Sequence, residues 1–383
     1  MRPLYQEAEK YPEKAKNFNK GLWFERFFNK YDEYWNIQKE IKDIQEEGKK
    51  AWISQITNSD CGDQDNLDIA INQQKSLCRS LGGEVKAFKA EWHFATGLGN
   101  AHPVENGFAW HPTLGTPYLS GASVKGLVRA YIETWAGLEK AEIREVCRRW
   151  FGSESKNPKE QDKDNPSEAG TYIFFDAMPI KPVTLACDIM TPHMGDWYAK
   201  GDQISDVTRN ADRLPADWHN PVPIPFLVVK EGSFLFCVAP RQLLNVNAKK
   251  QAEEELPDVM RALGNALEYM GAGAKTATGY GRMTNDETAN NAIEKEQKEA
   301  AKAEMSIEER FRVEFQEVDD KKLAEMFGKD FNKTQEKMGD DWEKYLNVLF
   351  EVKGDLIRSW SQAGKNTAEE KAYKKLKSTG RLT

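Results

Sequence analysis

The chain has 383 residues, of which 39% are hydrophobic and 30% are charged, and its formal net charge is −7. This composition is typical of a globular protein that can form a sizeable core, or two to three folded units. The negative charge argues against a protein that coats nucleic acid without specificity, although folding can still assemble a local basic groove.

No stretch approaches the roughly 20 apolar residues that span a bilayer, and the first residues lack the apolar core of a secretory signal. The five cysteines are scattered and form no CxxC pair, so we expect reduced thiols and no zinc site. We therefore predict a cytoplasmic protein with no membrane contact, no metal and no cofactor.

Residues 1–82 are polar and mostly helical in pattern, which predicts a helical N-terminal extension. Aromatic rings can stack on bases, but the aromatic stripe in this region is wide enough to need burial, so we expect it to pack on the core. Its members are Trp23, Phe24, Phe27, Phe28, Tyr31, Tyr34 and Trp35.

A predicted core spans residues 83–284. Apolar and polar residues alternate from Glu84 to Phe94, which predicts a half-buried strand. The loop Thr96–Tyr118 that follows is long enough to be functional. Its apolar side chains favour an ordered conformation.

A helix is predicted after Ser120, because serine is a good N-cap. The apolar residues mark one buried side of this helix, while Lys125 and Arg129, four residues apart, share the opposite side. A helix start that contains Ser, Gly and Lys suits a phosphate group. Alternatively, both cations are solvated surface residues.

In the middle of the core, two predicted surface segments interrupt the predicted helices and strands. Residues 153–168 are charged and predict a mobile surface insert, and residues 194–220 predict an excursion out of the sheet. The other elements are a helix, two strands and a hairpin, at residues 140–151, 169–180, 184–190 and 224–238.

A further helix, with Pro257 near its predicted start, ends at Met270, and a glycine-rich run follows from Gly271 to Arg282. A phosphate-binding P-loop does not fit, because Ala274 stands where that motif needs glycine and because the run follows a helix. The run is then either a flexible turn into a last strand, or a loop whose N–H groups grip the phosphates of a polymer.

Residues 285–383 are rich in Ala, Glu and Lys and then carry apolar residues at helical intervals, which predicts a helical C-terminal extension. The order of elements in the core predicts an α+β fold with a ferredoxin-like antiparallel sheet. The same sheet underlies the RNA-recognition (RRM-like) fold. Long loop insertions elaborate it here.

Two motifs resemble the RAMP superfamily of CRISPR effector subunits. The run from Tyr118 to Arg129 resembles the superfamily's PGSSLKGALR element, and the run from Gly271 to Arg282 resembles its C-terminal glycine-rich loop. The segments Asp188–His193 and 220–226 narrow the resemblance to the family of the sixth subunit of the type III-B (Cmr) effector. The resemblance covers about residues 84–284 and leaves both helical extensions unmatched.

The resemblance implies a guide-RNA-binding subunit of an antiviral ribonucleoprotein, which caps the backbone filament near the 3′ end of the crRNA. Its partners would be crRNA, target RNA and other Cmr-complex subunits, especially a neighbouring backbone subunit. Residues 194–220 would form a thumb across the guide–target duplex.

The RNA contacts that the resemblance implies are backbone contacts, which position a strand without reading its sequence. The implied contact residues are Ser123, Lys125, Arg129, Lys275, Thr276, Tyr280 and Arg282, with His193 as a further contact. The glycines at which RNA would approach are Gly121, Gly271, Gly273, Gly279 and Gly281.

The superfamily's target-cutting backbone subunit carries an Asp in the loop after its first strand, whereas Thr96–Tyr118 holds one carboxylate, Glu105, and no Asp. We therefore expect a non-catalytic subunit. The alternative from the same superfamily is a metal-independent ribonuclease that uses His193 or Glu105. A nucleotide-binding protein and a structural adaptor without RNA remain as further alternatives.

Overall fold

The computed structural model of the protein describes residues 18–32, 34, 36, 37, 48–153, 168–216, 221, 223–242 and 245–382. The chain divides into two compact units, the first ending at Asn290 and the second beginning at Asn291. None of the described helices is both long and apolar enough to cross a membrane. The insert predicted at residues 153–168 lies almost wholly outside the described residues.

The first unit alternates helices with short strands. Its elements are α1 (Lys20–Arg26), α2 (Gly48–Ile53), β1 (Asp60–Cys61), α3 (Gln64–Ser80), β2 (Glu84–Ala90), β3 (Ala101–His102), β4 (Glu105–Asn106), α4 (Gly121–Thr134), α5 (Lys140–Phe151), β5 (Tyr172–Phe174), β6 (Met178–Pro179), β7 (Val183–Met190), α6 (Gly195–Lys200), β8 (Ile224–Glu231), β9 (Ser233–Pro240), α7 (Val246–Asn265) and β10 (Met283–Asn285). A π-helical turn, Ala266–Met270, continues α7 up to the glycine-rich run.

The main sheet confirms the predicted ferredoxin-like arrangement. Its strands lie in the order β10-β2-β9-β5, all antiparallel, and β6 also pairs with β9. If β2, β5, β9 and β10 are numbered one to four in chain order, their order across the sheet is 4-1-3-2. Helices α4 and α7 connect them, which gives the β-α-β-β-α-β pattern.

A second sheet has the order β1-β7-β8. The hairpin predicted at residues 224–238 is wrong, because β8 pairs with β7 while β9 pairs with β2, β5 and β6. Both strands are buried over most of their length, so each needs neighbours on both faces and the chain changes sheets at Gly232. Beyond the end of β2, Phe94 exchanges two backbone hydrogen bonds with Val229 and thereby joins the sheets.

The N-terminal aromatic residues lie in the same core as the sheets, as predicted. Trp23 and Phe24 are buried, and Trp23 stacks on Phe27 and Trp52 with ring centroids 5.1 and 6.1 Å apart. Tyr34, by contrast, is exposed, and Trp35 lies outside the described residues.

The start predicted for the last helix of the core is wrong, because Pro257 lies well inside α7. Asn245 is the residue that caps this helix, accepting a hydrogen bond from the backbone N–H of Ala248 at 2.9 Å. Since proline is favoured in a first turn, the pattern placed the start about three turns too late.

The helical C-terminal extension is also confirmed. After α8 (Glu287–Glu304) come α9 (Ile307–Glu317), α10 (Asp320–Gly328), α11 (Phe331–Met338), α12 (Trp342–Ser359) and α13 (Ala368–Lys377). The second unit has its own hydrophobic core, with Phe315, Phe327, Tyr345 and Leu349 fully buried. A core of this kind is what allows a unit to fold by itself.

Candidate nucleic-acid interface

The start of α4 and the glycine-rich run lie beside each other. They line a common cavity of about 470 Å³, together with the beginning of the loop that follows Phe94. The lining residues are Thr96, Gly97, Leu98, Gly99, Leu119, Ser123, Leu127, Met270, Gly271, Gly273, Ala274 and Thr276. Three segments that are far apart in the sequence thus form one concave surface.

The N-terminus of α4 is already partly paired within the protein. The Ser120 hydroxyl accepts a hydrogen bond from the backbone N–H of Ser123 at 3.3 Å, as expected of an N-cap. The backbone N–H of Gly121 donates to a carboxylate oxygen of Asp176 at 2.6 Å. An acidic group at a helix N-terminus is stabilising, but it also competes with a phosphate. The exposed Ser123 side chain contributes to the cavity lining, and its hydroxyl lies 2.9 Å from that of Ser120.

The glycine-rich run closes on the protein's own backbone. Its Ala272 and Gly281 are joined by a backbone hydrogen bond of 2.8 Å, and Ala274 donates to the carbonyl of Ala95 at 2.8 Å. Gly281 has a φ of 71°, and a Cβ placed there would overlap the Ala272 carbonyl. Gly273, with a φ of 82°, has the same conflict with Ala95. These glycines are therefore needed for packing, whatever else they contact.

Three other glycines were predicted to allow a close approach of RNA, and two of them are also packed tightly against the protein's own backbone. A Cβ at Gly121 would overlap the carbonyl of Phe174, and one at Gly271 would lie 2.7 Å from the carbonyl of Tyr280. Gly279, with a φ of 93°, has open space around its missing side chain. In this run it is the glycine whose surroundings leave room for a ligand.

The cations of the two motifs are not in the cavity lining. Ser123 and Leu127 face the cavity, whereas Lys125 is two residues further along α4, about 200° around the helix from Ser123. Arg129, one turn beyond Lys125, pairs with Glu133 at 2.7 Å. Both cations therefore lie on the side of α4 that points away from the cavity-lining residues Ser123 and Leu127.

Lys275 and Arg282 belong to the glycine-rich run but are not among the residues that line the cavity. Lys275 is the one non-glycine of the run with positive φ, at 59°, a conformation that costs a non-glycine residue about 1–2 kcal/mol. Its Nζ lies 5.2 Å from the centroid of the Phe226 ring, a cation–π distance. The Arg282 side chain is exposed, and its carbonyl accepts from the backbone N–H of Glu91 at 2.9 Å.

Tyr280 anchors the run through a buried side chain. Its hydroxyl donates to Asp188, which also accepts from the backbone N–H of Ile189 at 2.7 Å and lies 3.2 Å from Nδ1 of His93. Burial, together with the bond to Asp188, raises the pKa of Tyr280 to about 12. Burial would raise the pKa of Asp188 as well, but its hydrogen bonds outweigh burial and lower it.

Sequence reasoning missed this cluster of His93, Asp188 and Tyr280. The three residues come from the segment after β2, from β7 and from the glycine-rich run, and the sequence holds no local signal for their contact. A signal was available only for Asp188, a carboxylate in an otherwise apolar strand, which needs a polar partner when it is partly buried.

The two residues considered for catalysis, Glu105 and His193, do not line the cavity and lie on different segments of the chain. Glu105, the first residue of β4, pairs with Lys49 of α2. His193 is exposed in the segment before α6. Across the described residues, no cluster of three metal-ligating side chains occurs.

His102, in the same turn as Glu105, is held by both ring nitrogens. Its Nε2 lies 2.9 Å from the carbonyl of Phe24, and its Nδ1 accepts from the backbone N–H of Val104 at 3.1 Å. These contacts assign the proton to Nε2. Burial lowers the pKa of His102 and favours the neutral ring.

The predicted thumb is described as far as residue 216. It contains α6 and two short 3-10 turns, Gly201–Gln203 and Ala211–Arg213. Tyr198 is 73% exposed in it, so an aromatic ring is available to a partner. Residues 217–220 lie outside the described part.

The sequence signature of the RAMP superfamily matches residues 88–284. The chain is 28% identical over 254 residues to the CRISPR system Cmr subunit Cmr6 of Pyrococcus furiosus, an alignment that covers 54% of this chain and 69% of that protein. These findings confirm the resemblance that the helix-start and glycine-rich motifs indicated.

Similar solved structures include a type III-B Cmr-beta complex bound to cognate target RNA. One of its chains has a TM-score of 0.43 and 18% identity, over 62% of this chain and 71% of that chain. The crystal structure of Cmr6 from Pyrococcus furiosus has a TM-score of 0.30 and 23% identity, over 53% of this chain and 97% of that chain. The superfamily match runs from within β2 to within β10 and includes all three segments that line the cavity, and the chain belongs to the RAMP superfamily.

Proposed function

We propose that this protein is a non-catalytic, guide-RNA-binding subunit of a type III-B CRISPR ribonucleoprotein that acts in antiviral defence in the cytoplasm. It caps the backbone filament near the 3′ end of the crRNA, contacts a neighbouring backbone subunit, and helps to hold the guide–target duplex. The observation that carries the proposal is the meeting of the α4 start with the glycine-rich run at one cavity, in a chain related to Cmr6.

The cavity suits a sugar-phosphate strand better than a small molecule. Four glycines and the hydroxyl-bearing residues Thr96, Ser123 and Thr276 make up more than half of its lining residues, whereas a typical ligand pocket is lined mainly by apolar side chains. Lys275 stands between the lining residues Ala274 and Thr276, and Lys125 follows Ser123 by two residues on α4. Hydroxyls and nearby cations are groups that contact phosphates without reading bases, and base pairing by the guide supplies the sequence choice.

The absence of catalysis is supported by how the alternative residues are engaged. Glu105 is occupied by Lys49, and both nitrogens of its neighbour His102 are hydrogen bonded. His193 is exposed and would need a second acid or base, which none of the hydrogen bonds of the described residues supplies. A general acid–base pair must lie within hydrogen-bond reach of the same substrate, and His193 lies on a different segment from Glu105 and His102.

The proposal is tested by the salt dependence of crRNA binding. Lys125→Ala combined with Lys275→Ala should weaken binding of the full chain to crRNA. It should also reduce the slope of log K against log salt by about 1.4, because each lost phosphate contact to a single strand accounts for about 0.7. The measurement is a fluorescence-anisotropy titration with labelled crRNA at several salt concentrations.

A matched control removes the same charge elsewhere. Lys249 and Lys250 are exposed in α7, where they pair with Glu253 and Glu254, and lie about 30 Å along the helix from Met270. Lys249→Ala combined with Lys250→Ala should leave the slope unchanged. Equal slopes for both double variants would refute RNA binding at this cavity. Cleavage of RNA by the purified chain, lost in His193→Ala or Glu105→Ala, would refute the non-catalytic assignment.

A further inference from the structure

Trp92 lies exposed beside the glycine-rich run. Its side chain is 49% exposed, although tryptophan in a core-forming segment is normally covered. One face of the indole is nearly parallel to the His93 ring, with centroids 4.9 Å apart and an interplanar angle of 13°. Its ring also lies 4.9 Å from that of Tyr280, at 50°. About half of this large flat ring is thus covered by the protein, and the other half is open to solvent.

The ring is held from beneath by hydrogen bonds. His93 contacts Asp188 at 3.2 Å, and Asp188 accepts the hydroxyl of Tyr280. The backbone carbonyl of His93 accepts from the N–H of Gly281 at 2.8 Å. The residues under the indole are therefore fixed to β7 and to the glycine-rich run, so little conformational freedom remains to be lost when a ligand stacks on it.

We propose that the open face of Trp92 stacks on an unpaired base of the bound RNA; this inference rests on the proposed function. Aromatic side chains beside a cationic strand path are the general means by which proteins hold single-stranded nucleic acids, since every base has a stacking face. The cation is adjacent, because the carbonyl of Arg282 is hydrogen bonded to Glu91, the residue before Trp92. A phosphate on Arg282 and a base on Trp92 are contacts that neighbouring parts of one strand can make.

An RNA base fits this ring better than a protein surface. Protein interfaces centre on clusters of apolar anchors, whereas the exposed ring here adjoins a hydrogen-bonded His–Asp–Tyr cluster and a glycine-rich run. The underlying stack of His93 and Trp92 is flat, which suits a third flat ring. The residue is a binding residue, and no chemistry is assigned to it.

The test combines a protein change with a nucleotide change. Trp92→Leu removes the aromatic ring but keeps an apolar side chain, and Trp92→Phe keeps a ring. The full chain is titrated with crRNA and with a series of crRNAs that each carry one abasic nucleotide. Trp92→Leu should weaken binding of intact crRNA by about tenfold, and Trp92→Phe should weaken it much less. One abasic position should weaken wild-type binding by a similar factor and leave the Trp92→Leu variant unaffected.

Trp135→Leu is the matched control. Trp135 is 59% exposed and stacks on Tyr269, with centroids 6.4 Å apart, but it lies about 18 Å along α4 from Ser123. The Trp135→Leu substitution should leave crRNA binding unchanged. Thermal melting of each variant checks folding, and if Trp92→Leu lowers the melting temperature, the comparison of Trp92→Phe with wild type on the abasic series decides.

Three outcomes would overturn the inference. If Trp92→Leu binds every RNA as wild type does while the Lys125 and Lys275 double variant is weakened, the stacking is refuted and the proposed function stands. If Trp92→Leu loses only the association with another subunit, the ring belongs to a protein interface. If the wild-type chain binds none of these RNAs, the proposed function itself fails, and this inference with it.

Discussion

Tyr280 donates its hydroxyl hydrogen bond to Asp188, and this contact ties the glycine-rich run to β7. The two residues are 92 positions apart in the chain. Because the run also lines the cavity with Gly271, Gly273 and Thr276, the position of the proposed RNA site depends on a partly buried carboxylate that does not itself face the cavity.

Tyr280→Phe should loosen the run without unfolding the chain. It removes one hydrogen bond to a carboxylate, and Asp188 keeps its contacts with Ile189 and His93. We expect a loss of about 1–2 kcal/mol in the free energy of unfolding of the first unit, measured by urea denaturation. Tyr198→Phe, at a ring that is 73% exposed, should change it little. Equal free energies of unfolding for the two variants would show that the hydrogen bond to Asp188 does not contribute to stability.

The hydrogen bonds of Asp188 also predict that the stability of the protein depends on pH in the acidic range. The pKa of Asp188 is lowered in the folded protein, because its hydrogen bonds outweigh the effect of burial. A lowered pKa means that the stabilisation is present above the unfolded value, near pH 4, and is lost as the pH falls through the lower folded value. Wild type should therefore lose stability below about pH 4 more steeply than Asp188→Asn. Parallel curves of unfolding free energy against pH would contradict this.

Substitutions at two glycines of the run can distinguish the energetic cost of a steric clash from the cost of the left-handed backbone conformation. Both Gly279 and Gly281 have positive φ, but a Cβ at Gly281 would overlap the Ala272 carbonyl while one at Gly279 would meet open space. Gly279→Ala should cost about 1 kcal/mol for the left-handed conformation alone. Gly281→Ala should cost clearly more, since the run has to move. Thermal denaturation compares them, and a larger cost at Gly279 would contradict the described loop.

A negative charge placed in the cavity should repel a phosphate strand. Ser123→Asp lies in the first turn of α4, where an acidic side chain does not destabilise a helix, so the variant should fold. We expect crRNA binding to weaken at least tenfold.

Asn247→Asp is the control for this charge. It adds the same charge to the first turn of α7, about 35 Å along that helix from Met270. Binding assays at one salt concentration compare the two variants. Equal binding by both would place the phosphates elsewhere.

Much of the fold could be predicted from local signals. The cap at Ser120, the helix 140–151 and the strand 184–190 each have a residue pattern of their own, and the structure has α4, α5 and β7 there. The pairing of β8 and β9 was mispredicted because two adjacent apolar strands look like a hairpin. The sequence has no local mark for the change of sheet at Gly232, which depends on the tertiary fold.

The candidate site was only partly predictable, for the same reason. The motifs pointed to Ser123 and Thr276, which line one cavity. Spacing along α4 did not reveal that Lys125 faces another side, nor that Asp176 occupies the helix start. The bond between Tyr280 and Asp188 and the exposure of Trp92 arise from contacts between distant segments.

The most direct test of the account is ultraviolet crosslinking of the assembled ribonucleoprotein, followed by mass spectrometry of the RNA-linked peptides. The account predicts crosslinks in the peptides that contain residues 92–99, Ser123 and 270–282, with the 3′ part of the crRNA attached. Crosslinks confined to other peptides, with none from the segments around the cavity, would contradict it.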